Sequence, residues 1–175
     1  TSGNFADLKF YVAPSDTPFE AMSIDTAGNV TKPYQPAFLA YNSATDSDVT
    51  GDGTYATVDF DTEVFDQGAD FASDTFTAPI TGRYLLAAMA RTSGITAVAD
   101  SILIQLLTSN RNYISYQANS NDMPTTMNMN LSMVVDMDAS DTVSVRIRVS
   151  GEGSNVCDIE GDADMRTSFS GCLLA

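Results

Sequence analysis

The stretch "TVSVRIRVS", residues 142–150, alternates without a break. Val143, Val145, Ile147 and Val149 fall on one side; Thr142, Ser144, Arg146, Arg148 and Ser150 fall on the other. Successive side chains of a strand point to opposite faces, whereas a helix would scatter the same valines around its axis. β-branched residues at strict period two therefore specify a strand with one face in a core and one toward solvent. "MNMNLSMVVDM" repeats the pattern, with Met127, Met129, Leu131, Met133 and Val135 on one face. Its other face carries Asn128, Asn130, Ser132 and Asp136 with one apolar residue, Val134. A chain built of such segments needs a second layer to cover its apolar faces.

Two segments are apolar on both faces: "YLLAAMA" (84–90) and "SILIQLL" (101–107). A strand of that kind is covered on both sides, by a second sheet or by another subunit. Further strands are expected at "PAFLAYN", "ATVDFDTEVF", "RNYISYQAN" and "RTSFSGCLLA". The breaks carry turn chemistry, as in "TGDGT", "ITGR", "DASD" and "SGEGSN". Many short strands with such turns, no long helix and no fixed repeat give an all-β, antiparallel β-sandwich.

The first residues differ. "LKFYVA" and "FEAMSI" read as short strands around "PSDTP", followed by a turn in "DTAGNV" centred on Gly28 and Asn29. "KPYQP" then stiffens the chain, because its two prolines cannot serve a central strand. The organisation expected is a short β segment with its connector over residues 1–34, then a main domain over 35–175.

Composition excludes several functions. Against 23 Asp+Glu stand only 8 Lys+Arg, a net charge of -15. Nucleic-acid binding requires cations to replace phosphate counterions, so it is not expected. The absence of histidine removes Ser-His-Asp and Cys-His catalysis as usually built, and His-containing zinc sites. No G-x-S-x-G elbow, Walker loop or G-x-G-x-x-G fingerprint is present, and no enzyme activity is expected. No apolar run is long enough for membrane insertion. "TSGNFADLKF" has neither the basic nor the apolar region of a signal peptide. Cys157 and Cys172 could form one disulfide or stand as two small hydrophobes; the apolar run around Cys172 favours free thiols.

Four pieces of the main domain occur together in order. They are "PAFLAY", "VDFDTEVFDQGADF", "FTAPITGRYLLAA" (Phe76, Ala78, Pro79, Gly82, Tyr84) and "SFSGCLLA" (Phe169, Ser170, Gly171, Leu173, Leu174). Over residues 35–175 the chain resembles the C1q/TNF-like jelly roll, in particular the C1q-like heads. The resemblance implies a homotrimer. Pro79 and Gly82 would carry the chain from one sheet to the other, Tyr84 and Phe76 would anchor the core, and Gly171 would sit where backbone approaches a neighbour closely. The segment "FEAMSIDTAGNVTKP" resembles the M-x-I-D-x-x-G-N-V segments of phage tail fibres and spikes, placed before a C-terminal tip domain. Together the two resemblances imply a virion tail-fibre tip that follows an upstream shaft and binds a host cell-surface glycan or protein through its loops. The alternative is a secreted cellular C1q-like oligomeric protein.

Loop aromatics are the candidate receptor contacts. Tyr55 and Tyr113 are preferred over Tyr41 and Tyr116, since Tyr113 directly follows the turn "SNRN". No cofactor is required. A divalent cation such as calcium needs six to eight oxygens, and "CDIEGDAD" offers Asp158, Glu160, Asp162 and Asp164 as weak candidates. "TDSDVTGDG" fits an EF-hand loop at Asp46, Asp48 and Gly51 but lacks the closing Glu, so it is expected to be a solvated turn.

Overall fold

A computed structural model of the chain describes residues 6–14, 16–118 and 124–175. The chain divides into two compact units, with the boundary between Gln35 and Pro36. Among the described residues there is no helix.

The first unit is a three-stranded antiparallel sheet of β1 (Leu8–Val12), β2 (Phe19–Ile24) and β3 (Val30–Thr31), with β2 in the middle. Lys9 Nζ meets Glu20 Oε2 at 2.7 Å across β1 and β2. The turn between β2 and β3 is built on Asp25. Its Oδ1 accepts the backbone N–H of Ala27 at 2.9 Å and of Asn29 at 2.8 Å, and its other oxygen accepts the Asn29 amide. Those hydrogen bonds, that of the Asn29 side chain foremost, hold the Asp25 carboxyl below its usual range. Only Gly28 takes the left-handed conformation, at φ +88°. The turn is thus centred on Thr26 and Ala27, two residues earlier than expected, because the Asp25 side chain caps the backbone ahead of Gly28. No described residue of this unit is buried, and Leu8, Phe10, Tyr11, Val12 and Val30 are all exposed.

The second unit is a sandwich of two antiparallel sheets with a jelly-roll topology. Its strands are β4 (Ala37–Tyr41), β5 (Asp46–Thr50), β6 (Tyr55–Thr57), β7 (Thr62–Asp66), β8 (Phe71–Ala72), β9 (Thr75–Thr77), β10 (Gly82–Ser93), β11 (Ser101–Thr108), β12 (Asn112–Ala118), β13 (Met127–Met137), β14 (Thr142–Ser150), β15 (Cys157–Glu160) and β16 (Ser168–Leu173). In one sheet the long β10 pairs with β13 on one edge and with β15 and β16 in succession on the other; β16 continues to β4 and β7, and β15 to β5. The other sheet runs β12-β11-β14, after which β6 and β9 share the free edge of β14, and β8 closes on β9. Between β9 and β10 the chain passes from one sheet to the other through Pro79 and Gly82, as the resemblance implied.

The core lies between the sheets. Phe38 is its centre, with ring centroids 5.0 Å from Phe71, 4.8 Å from Phe76 and 4.9 Å from Phe169. Tyr84 is fully buried, and its hydroxyl donates to the Ile80 carbonyl at 2.7 Å, so the buried ring leaves no polar atom unmatched. Gly171 packs beneath this cluster. A Cβ there would lie 2.7 Å from both Leu86 Cδ2 and Phe38 Cε1, so side chains, not a neighbouring backbone, demand the glycine. Gly171→Ala is expected to cost about 1–3 kcal/mol as overpacking, read as a lower denaturation midpoint with an unchanged m-value.

One strand expectation needs correction. "ATVDFDTEVF" is not one strand: β6 and β7 are separated by Val58 and Phe60, which leave the ladder and insert into the core. Their backbone amides are satisfied by the Val145 carbonyl and by Asp74 Oδ1. β10 is apolar on both faces, but the chain itself covers only one of them. Tyr84, Leu86, Ala88 and Ala90 are buried, while Leu85 is 38% exposed. β11 alone is covered on both faces, with outward Leu103 and Gln105 buried as deeply as inward Ile102 and Ile104.

Candidate functional site

The sandwich presents two outer faces, and they differ in chemistry. On the β10 sheet the register lines up three rows. One is Phe65, Leu39, Ser170, Ala87 and Ser132; the next is Ala37, Cys172, Leu85 and Val134; the third is Tyr41, Ser168, Met89 and Asn130. No charged residue occurs in these rows, in a chain with 31 charged residues (8 basic, 23 acidic). Small residues at the centre leave shallow depressions, one of about 230 Å³ between Phe65, Leu85, Ala87 and Cys172, and one of about 290 Å³ between Met89, Leu131 and Ser168. Charges bound the three rows on either side, with Arg83 opposite Asp136 beyond Leu85 and, beyond Met89, Arg91 Nε 2.6 Å from Glu160 Oε2.

On the opposite sheet the outward rows are Tyr55, Arg148, Leu103, Tyr116 and Thr57, Arg146, Gln105, Ile114. The Arg148 guanidinium carbon stands 5.3 Å from the Tyr55 ring centroid, a cation–π contact that fixes the side chain over the sheet. Leu103 owes its burial to its place in register between Arg148 and Tyr116, whose long side chains flank it.

The predicted site residues separate accordingly. Tyr55 is on the surface, 43% exposed, although at the head of a strand instead of in a loop. Tyr113 is not a loop aromatic: it lies within β12 opposite Leu106, packed against the core. Three positions on, Tyr116 points to the other face and is 56% exposed. Placing the turn one residue further along would have exchanged the two tyrosines.

The four acids of "CDIEGDAD" do not converge. Asp158 Oδ1 accepts the Asp48 backbone N–H at 2.8 Å. Glu160 pairs with Arg91, and also lies 3.5 Å from Arg166 Nη1. Arg166 Nε meets Asp162 Oδ2 at 2.8 Å, with Asp164 3.7 Å from Nη2. Arg91 and Arg166 thus pair with Glu160, Asp162 and Asp164, and among the described residues no three metal-ligating side chains are gathered about a point. The "TDSDVTGDG" segment is a strand, not merely a turn: β5 pairs with β15 through an irregular register, Asp48 adopts φ +57°, and Thr50 is fully buried. Both cysteines are free thiols. Burial, then the nearby Asp158 charge, pushes the Cys157 thiol up to about 12. Cys157 should therefore stay unmodified by a thiol reagent at pH 8 until the protein unfolds.

Two antiparallel sheets in this order, with function left to their outer surfaces, define a C1q/TNF-like jelly-roll head. The chain belongs to the C1q domain family, whose model matches residues 37–174. The fold is similar to the globular domain of zebrafish complement 1qA protein, with TM-score 0.57 and 16% identity over 81% of this chain and 98% of that one. It is also similar to murine APRIL at pH 5.0, with TM-score 0.54 and 13% identity over 80% of this chain and 99% of that one. Comparison with curated protein sequences finds no match.

Proposed function

We propose that the chain is the trimeric tip of a phage tail fibre, which attaches to the host surface through the exposed face and loops of its jelly-roll head and performs no catalysis. The observation that carries the trimer is the uncharged face of the β10 sheet. Apolar and small side chains with no charge across three rows suit a surface covered by a second copy, as interface cores are depleted of charge. The first unit supports the fibre. Its small sheet buries none of its apolar residues in the single chain, as suits a sheet whose apolar face is covered by further copies. The "MSIDTAGNV" resemblance supports the shaft reading. A second reading, a secreted C1q-like binding protein of cellular origin, is favoured by the similarity to the zebrafish and murine structures.

The test is adsorption. Fluorescent protein applied to the bacterial strain that supports the phage should decorate cells and compete with virions for attachment. Failure to do either on that strain would count against the tail-fibre reading, and binding to animal cells instead would favour the second.

A further inference from the structure

Arg146 and Arg148 lie two residues apart on β14 and face outward from the same sheet, on the side of the sandwich opposite the uncharged face. None of β6, β11, β12 and β14 contains an aspartate or glutamate, although the chain has 23 acids. Among the described residues neither arginine has a carboxylate partner, while Lys9, Arg91, Arg111 and Arg166 all do. With no acid on the neighbouring strands, the two guanidinium groups form an uncompensated positive patch in an acid-rich chain, complementary to an anionic partner. Exposed rings flank them: Tyr55 beneath Arg148 and Tyr116 across Leu103.

We propose that this face binds the carboxylate groups of an acidic polysaccharide. The guanidinium groups supply planar, charge-assisted donors for carboxylates. Residues two apart on a strand repeat every 6.5–7 Å or so, which lets one polymer engage both. The Tyr116 ring offers an apolar platform to a sugar face, while Tyr55 holds Arg148 in place. The surrounding negative charge does not cancel the patch, since screening confines its reach to about 8 Å at physiological salt. The inference names the receptor class and rests on the head being a surface-binding module.

The test passes the full chain over immobilised polygalacturonate, polysialic acid, fully methyl-esterified pectin and poly-glutamate at 0.15 M salt. Binding to one of the two carboxylated glycans and not to the ester is expected, because the ester keeps the ring and removes the charge. Arg146→Gln and Arg148→Gln should each weaken binding by about tenfold or more, and Tyr116→Ala by roughly three- to tenfold. Arg148→Lys, which keeps the charge but not the planar fork, should fall between. No preference over the ester on the unmodified chain would overturn the proposal, whether or not the variants fold. Poly-glutamate binding as tightly, with Tyr116→Ala silent, would replace it with an acidic protein surface. Host-cell attachment without glycan binding would refute only this inference, whereas loss of both would remove the attachment reading as well.

Discussion

Ala87→Arg is expected to reduce the assembly from trimer to monomer while the sandwich stays folded. Ala87 sits in the middle row of the uncharged face, between Ser170 and Ser132 in register, with Leu85 and Met89 on either side along β10. Its side chain points outward, so an arginine there disturbs no core contact in a single chain. In a trimer the same arginine would be buried three times over with no carboxylate nearby. Burying an uncompensated charge costs several kcal/mol, enough to undo most interfaces of ordinary affinity. Sedimentation velocity reads the outcome directly. Thiol labelling gives an independent check: Cys172 faces outward in the adjacent row, so it should be protected in the assembled protein and reactive in Ala87→Arg. An Ala87→Arg protein that remains trimeric would place the interface elsewhere.

Phe38→Ala is expected to lower stability by about 3–5 kcal/mol, the largest single loss in the core. Three rings stack on or against Phe38 at 5.0 Å or less, and its own exposure is 1%. Truncation leaves a cavity between the two sheets that Phe71, Phe76 and Phe169 cannot all collapse into. The loss is a large share of the roughly 5–15 kcal/mol by which domains are stable. Urea unfolding monitored by far-UV circular dichroism measures it. A change below about 1 kcal/mol would mean that Phe38 does not organise the core.

The sandwich was legible because period two is written plainly in β13 and β14, and because Pro79, Gly82 and Tyr84 mark the crossing between sheets. What failed was local. Val58 and Phe60 continue the alternation of β6 and so read as one strand, yet a tertiary hydrogen bond to Asp74 draws Phe60 off the ladder. β10 is apolar on both faces, and its sequence does not show which of them the chain's own second sheet covers; the structure assigns that to the face of Tyr84, Leu86, Ala88 and Ala90. The acids around Asp162 looked like ligands because sequence spacing does not show that Arg91 and Arg166 fold back onto them. Arg146 and Arg148 were visible as outward residues from the first reading. Only the structure reveals that β6, β11 and β12 bring them no acid and two tyrosines.

The mass of the protein in solution, measured by light scattering with and without a chelator, tests the trimeric head most directly. The expected value is three times the 18.6 kDa chain, unchanged by chelation because the acids of the cluster are held apart in ion pairs with Arg91 and Arg166. A stable monomer of 18.6 kDa would contradict the trimer and leave the uncharged face without the partner assigned to it.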